Sequence, residues 1–222
     1  MNYQTSGANL YYETCGNGRP LILLHGNGES HAIFEKAIPR LAKRYTVYAV
    51  DSRGHGNSSP VNELHYEEMA QDVAELIRGL RLEKPIVYGF SDGGIIALLL
   101  GIREPDLLSG IVASGVNANP KGIQFVWLTL FRLFYFFNRS QLYRLMLTEP
   151  DITKEMLETI PVPVSVIGGS KDMIRERHMR WIADCIPNGR FTRLEGETHS
   201  SYVVNNEKLA ELIIGCVETM EI

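Results

Sequence analysis

Cysteine is scarce in this sequence: its 222 residues include three, Cys15, Cys185 and Cys216. An odd number at such wide spacing fits neither a disulfide framework nor a CxxC metal site, so a reducing compartment is expected. An excess of positive charge is missing too. Lysine and arginine total 22 against 26 aspartate and glutamate, a formal net charge of -4. With the basic residues scattered along the chain, nothing suggests a nucleic-acid partner. There is also no long apolar run. The most lipophilic stretch, Phe125 to Phe137, is interrupted by Arg132 and falls short of the roughly 20 apolar residues that span a bilayer. The first residues, Met1 to Gly18, are polar and lack the basic-then-apolar order of a signal peptide, so a cytoplasmic protein is expected. No internal repeat or low-complexity linker is visible. At 45% hydrophobic and 22% charged residues, the chain reads as a globular domain with one core.

What the chain does contain is a rhythm of short, β-branched apolar runs alternating with segments of helical period. After an expected hairpin about Gly7 (Tyr3 to Thr5, Leu10 to Thr14), strands are expected at Pro20 to His25, Thr46 to Asp51, Pro85 to Gly89, Gly110 to Ala113, Val162 to Gly168 and Phe191 to Glu195. Helices are expected at Phe34 to Lys43, Tyr66 to Gly79, Asp92 to Arg103, Ile174 to Cys185 and Glu207 to Val217. In the second of these, Met69, Val73, Leu76 and Ile77 form one apolar stripe. The strand runs lack in-out alternation, as strands covered on both faces should. The fold class is therefore α/β, a mostly parallel sheet with helices on both faces.

The rhythm breaks once, between Ser114 and Pro161. This stretch reads as an insertion of helical pieces (Lys121 to Phe137, Ser140 to Leu147, Thr153 to Thr159). It divides the chain into a core of residues 1–114 and 161–222 and an inserted segment of residues 115–160.

The strand ending at Gly89 runs into Phe90-Ser91-Asp92-Gly93-Gly94 and then a helix, so Gly89 to Gly93 has the form G-x-S-x-G. A serine on a sharp strand-to-helix turn takes a strained backbone, and small residues two before and two after let strand and helix pass closely. Moving the frame to make Asp92 the nucleophile would place bulky Phe90 where a small residue is wanted. Ser91 is the expected nucleophile.

These residues resemble the α/β-hydrolase family, and the resemblance covers the chain from about Pro20 onward. Leu21-Ile-Leu-Leu-His25-Gly26-Asn27-Gly28 is similar to the family's strand and HG-type oxyanion loop. Asp51-Ser-Arg53-Gly54-His55-Gly56-Asn-Ser58 resembles its D-x-R-G-x-G-x-S loop. The resemblance implies that the backbone N-H groups of Asn27 and Asp92 form the oxyanion hole. It also implies that the acid and the histidine follow the nucleophile in that order. Of six histidines, only His178 and His199 lie after Ser91; His199 is expected because it follows the last strand, whereas His178 sits in a charged helical segment, where a solvated side chain is expected. Asp172, in the loop after Val164 to Gly168, resembles the family's G-x-x-D acid, with Glu176 as the alternative. His25 and His55 are expected to pin loops by hydrogen bonds.

The inserted segment lies where this family carries a cap, so Phe125, Trp127 and Phe131 are expected to line an apolar pocket. For the segment's aromatics as a whole, Phe134 to Phe137 included, a lid packed on the core is the favoured reading, with a dimer contact or peripheral membrane docking as the alternatives. The resemblance implies a serine hydrolase acting on a small apolar ester or thioester, with Ser91 attacking, His199 moving the proton and Asp172 orienting it. No metal and no organic cofactor are called for. The same constellation serves carbon-carbon bond hydrolysis or perhydrolysis, and a ligand-binding protein with vestigial turnover is the alternative from a different class.

Overall fold

The computed structural model describes residues 1–220 and 222. Eight strands form one sheet: β1 (Asn2–Gln4), β2 (Asn9–Cys15), β3 (Arg19–Leu24), β4 (Tyr45–Val50), β5 (Ile86–Phe90), β6 (Gly110–Ser114), β7 (Val164–Lys171) and β8 (Gly189–Thr198). Their order across the sheet is β1-β2-β4-β3-β5-β6-β7-β8. β1 and β2 pair antiparallel, as does β2 with β4, and all the other pairs are parallel.

The absence of in-out alternation now has its physical reason. In β3, Ile22 and Leu24 point to one apolar core while Leu21 and Leu23 point to a second on the opposite face, and all four are fully buried. Side chains alternate across a strand, so an unbroken apolar run is what two covered faces require. One face is covered by α2 (Tyr66–Gly79), α3 (Asp92–Arg103) and α7 (Glu176–Cys185). The other is covered by α1 (Ile38–Leu41) and α8 (Lys208–Glu218).

Two expectations are corrected. The helix anticipated over Phe34 to Lys43 is a 3₁₀ turn, His31–Phe34, followed by the four-residue α1. Pro39 is the reason: it lacks an N-H and crowds the preceding turn, so the helix begins beside it. β8 is also longer than its apolar run. It continues past Glu195 through Gly196, at φ +79°, to Thr198, because its pairing with β7 is backbone to backbone and needs no apolar side chains. The extension carries the chain to His199.

Between β6 and β7 lie α4 (Phe125–Asn138), α5 (Gln141–Thr148) and α6 (Lys154–Glu158). α4 packs chiefly on α5, whereas α6 packs back against α3 and α7. Among the described residues, no helix is long and apolar enough to cross a membrane.

The loop after β4 is anchored to α2 by a buried ion pair. Arg53 Nε and Nη2 donate to Asp72 Oδ2 and Oδ1 at 2.6 and 2.9 Å, and the Thr5 hydroxyl donates to the same carboxylate at 2.6 Å. Arg53 also pairs with Glu68. Substituting Arg53→Met should destabilise the fold by about 3–5 kcal/mol in urea unfolding, because it strands the buried Asp72 charge. The double variant Arg53→Met, Asp72→Leu should regain most of that loss; an equally unstable double variant would refute the buried-charge explanation.

Candidate active site

The turn between β5 and α3 is set by two glycines. A Cβ at Gly89 would lie 2.0 Å from the Gly93 carbonyl oxygen, and one at Gly93 would lie 2.2 Å from the Leu24 carbonyl oxygen. Only hydrogen fits at either position. Between them Ser91 takes φ +51°, ψ -112°, a backbone region that costs a non-glycine residue on the order of 1–3 kcal/mol. Hydrogen bonds hold it there. The Ser91 N-H donates to the Ser114 carbonyl at 2.8 Å, and the Ser91 carbonyl accepts from Gly94 and Ile95 at 2.9 and 3.1 Å.

His199, just past β8, and Asp172, just past β7, meet Ser91 at the carboxyl-terminal edge of the sheet. His199 Nε2 is 3.1 Å from Ser91 Oγ, and His199 Nδ1 is 2.7 Å from Asp172 Oδ1. A carboxylate only accepts, so Nδ1 carries the hydrogen and Nε2 is left to accept from the serine hydroxyl. Asp172 is buried and held from two sides. Its Oδ1 accepts from the Ile174 N-H at 2.8 Å, and its carbonyl accepts from Gln124 Nε2 at 2.6 Å. The Phe90 ring packs on the His199 imidazole with centroids 4.9 Å apart.

β3 lies beside β5, which brings the loop carrying Asn27 against the start of α3. As the first residue of that helix, Asp92 has an N-H without a helical partner. The two loops are joined by their side chains: Asn27 Nδ2 donates to Asp92 Oδ2 at 2.8 Å and to the Leu142 carbonyl at 3.3 Å. Burial pushes the Asp92 carboxyl above its usual range, while hydrogen bonds from Asn27 and Tyr66 oppose that shift. Burial likewise raises Glu29, against a hydrogen bond from the Gly26 N-H.

The other histidines are engaged elsewhere. His25 Nδ1 donates to the Gly26 carbonyl at 2.8 Å and its Nε2 accepts from the Ser52 N-H at 3.0 Å. It ties the two loops together, as expected of it. His55 Nδ1 donates to the Arg53 carbonyl at 3.0 Å. His31 pairs with Asp51, and His65 with Glu149. His178, expected to be solvated, instead accepts from the Ala118 N-H at 3.0 Å. Glu176, the alternative acid, is bound by Arg180 and Arg193 on the surface.

Ser91 and Asp92 line a cavity of about 20 Å³ with Tyr66, Asn117, Phe131 and Glu149. Of the three cap aromatics expected in a pocket, Phe131 is there. Phe125 and Trp127 are not: they are 68% and 43% exposed. Phe125 lies on another side of α4 from Phe131, whereas Trp127, one turn earlier on the same face, packs on the Phe131 ring with centroids 6.4 Å apart and stays outside the cavity. A larger cleft of about 1300 Å³ lies between α1 and α8, lined largely by charged side chains, and shares no residue with the Ser91 group.

Several contributors escape a sequence reading. Gly115, at φ +60°, leaves the space that His199 occupies: a Cβ there would be 2.7 Å from its Cε1. Gln124, Tyr66 and the Asn27 side chain act across long sequence separations. A glycine directly after the β6 run was the one signal available for Gly115.

The model of a family described as alpha/beta hydrolase fold matches residues 19–146. The AB hydrolase superfamily protein YisY of Bacillus subtilis is 44% identical over 91 residues, 40% of this chain and 34% of that protein. A pimeloyl-acyl-carrier-protein methyl ester esterase of Vibrio campbellii is 32% identical over 113 residues, 51% of this chain and 42% of that protein. The matched stretches thus span well under half the length of these relatives. The enol-lactonase of Burkholderia xenovorans LB400 superposes with a TM-score of 0.81 over 98% of this chain and all of that one, at 17% identity, a likeness of fold.

Burial pushes the imidazoles of His25 and His178 down from 6.5 to about 4. Between those values the unfolded chain binds protons that the folded chain refuses, so stability falls as pH drops through this window, by up to about 1.4 kcal/mol per pH unit for each histidine. In urea unfolding the parent should lose stability between about pH 7 and pH 5, and His178→Gln should lose less over the same interval. Parallel profiles would contradict a partly buried, neutral His178.

Proposed function

The chain belongs to the alpha/beta hydrolase fold family, and from that premise we propose that it is a serine hydrolase cleaving a small, apolar carboxylic ester or thioester through an acyl-enzyme. One observation carries the reading: the continuous line from Ser91 Oγ through both nitrogens of His199 to Asp172, with contacts of 3.1 and 2.7 Å. A serine hydroxyl is a weak nucleophile near neutral pH, and imidazole is the side chain best matched to take its proton.

In this reading Ser91 Oγ attacks the carbonyl carbon as its proton passes to His199 Nε2. The carbonyl π pair moves onto oxygen, and that oxyanion accepts hydrogen bonds from the N-H groups of Asn27 and Asp92, which are fixed before the reaction begins. The intermediate collapses, the leaving oxygen or sulfur takes the proton from the imidazolium, and the acyl group stays on Ser91. Water then attacks the acyl carbon, with His199 as base, and releases the acid. Asp172 keeps the imidazole in its reactive tautomer and stabilises its cationic form.

Apolar side chains around the cavity, Ile123, Phe131, Met146, Met173 and Ile174 among them, support an apolar acyl or alcohol group. The space beside Ser91, about 20 Å³, holds about one water. An ester therefore enters when α4 and α5 shift outward. The name of the Vibrio relative, a methyl ester esterase, supports ester chemistry in the same family.

Intact-mass measurement after treatment with a fluorophosphonate should show one adduct, mapped to Ser91, alongside turnover of p-nitrophenyl esters. Ser91→Ala should lose the adduct and at least about a thousandfold in kcat/KM, with an unfolding midpoint close to that of the parent. No adduct and no turnover in the parent would sink the hydrolase reading in favour of a ligand-binding protein. Parent-level turnover by Ser91→Ala would remove Ser91 from its role.

A further inference from the structure

Helix α4 presents an apolar surface to solvent. Val126 is 73% exposed, Phe136 65% and Phe137 75%, with Phe125, Trp127 and Leu133 also exposed. At 3.6 residues per turn these positions span an arc of about 200°, more than half the circumference. Only the arc around Phe131 is turned toward the protein, where its ring and that of Phe134 pack on Tyr143 of α5. Monomeric soluble proteins rarely expose a contiguous apolar patch of this kind, and one that persists marks an interaction surface.

Charge identifies the partner. Between Asp106 and Glu149 the chain carries four cations, Lys121, Arg132, Arg139 and Arg144, and no acidic residue, although acids outnumber cations in the chain as a whole, 26 to 22. Among the described residues only Arg144 of these four meets a carboxylate, Glu63 at 3.6 Å. Arg139 lies over the rings of Tyr135 and Phe136 at 5.4 and 5.8 Å, so cation and aromatic faces sit together at the helix end.

We propose that α4 docks this protein on an anionic phospholipid surface, its rings entering the headgroup region and its arginines meeting lipid phosphates. The helix lies on the bilayer and does not span it: 14 residues extend about 21 Å, against a hydrocarbon core of roughly 30 Å. A second copy of the chain fits less well, since a symmetric contact through α4 would bring two sets of unpaired cations together. A folded acidic partner would need one flat face, whereas rings spread over so wide an arc suit a fluid headgroup layer. This inference is independent of the hydrolase reading, and Ser91→Ala should bind vesicles as the parent does.

The test is flotation with vesicles of phosphatidylcholine alone or mixed equally with phosphatidylglycerol. The chain has two tryptophans, Trp127 and Trp181, so emission of the Trp181→Phe variant reports Trp127. The parent should float with the mixed vesicles, with a blue shift of Trp127, and weaken with added salt. Arg132→Gln and Arg139→Gln should each cost about fivefold in affinity. Phe136→Glu with Phe137→Glu should abolish flotation while retaining the parent unfolding midpoint and turnover of soluble esters. No flotation with either vesicle would overturn the proposal. A concentration-dependent dimer lost in the same double variant, without flotation, would replace the membrane by a second copy. Equal flotation with pure phosphatidylcholine would overturn the assignment of anionic lipid.

Discussion

Where β5 crosses the start of α3, the backbones come so close that Gly89 and Gly93 have no room for a β carbon. That contact forces Ser91 into a left-handed turn and lifts its hydroxyl out at the carboxyl end of the sheet. The strain is small beside the packing that imposes it, because residues on both sides are locked into strand and helix. Bonds from Ser91 to Ser114 and from Gly94 and Ile95 back to Ser91 show how the surrounding structure over-determines one residue. The rest of the candidate site is arranged around this fixed point.

Sheet order then selects what can reach it. β3 adjoins β5, so the loop carrying Asn27 lands beside Asp92; β7 and β8 continue the sheet beyond β6 and deliver Asp172 and His199. The order of strand addition reverses about β3, with β4 on one side and β5 on the other and all three parallel, which opens a crevice at the strand ends. Polar groups close it off. His25 joins the β3 and β4 loops as a neutral imidazole with both nitrogens bonded, and the Asn27 amide joins the two loops proposed to hold the oxyanion. These bonds stiffen the site where bulk apolar packing stops.

The segment above the site has two characters. α6 returns to the core, burying Leu157, while α4 leaves most of its surface outside. On α4, Phe131 closes the Ser91 cavity from within and its neighbours face outward, so one short helix both lines the proposed pocket and carries the proposed lipid contact. A substrate partitioned into a lipid surface would meet the protein on the side from which α4 and α5 cover Ser91.

Patterns local in the chain were readable from the residues alone. The doubly covered strands, helices α2 and α3 to the residue, and the strand-Ser91-helix turn all follow from neighbours a few positions apart, because apolar periodicity and glycine spacing act at that range. Proline acts locally too, but the helical pattern around Pro39 concealed its effect on α1. Tertiary structure decided the rest. The length of β8 came from backbone pairing with β7, His178 found a buried partner instead of solvent, and Gly115 made room for an imidazole 84 positions further along the chain. The sequence by itself determined which residues of suitable chemistry were available and in what order. Only the packed sheet decided that Ser91, Asp172 and His199 stand within hydrogen-bond reach, that Phe131 turns inward and that its helical neighbours do not, since those outcomes depend on elements far apart in the chain competing for the same space.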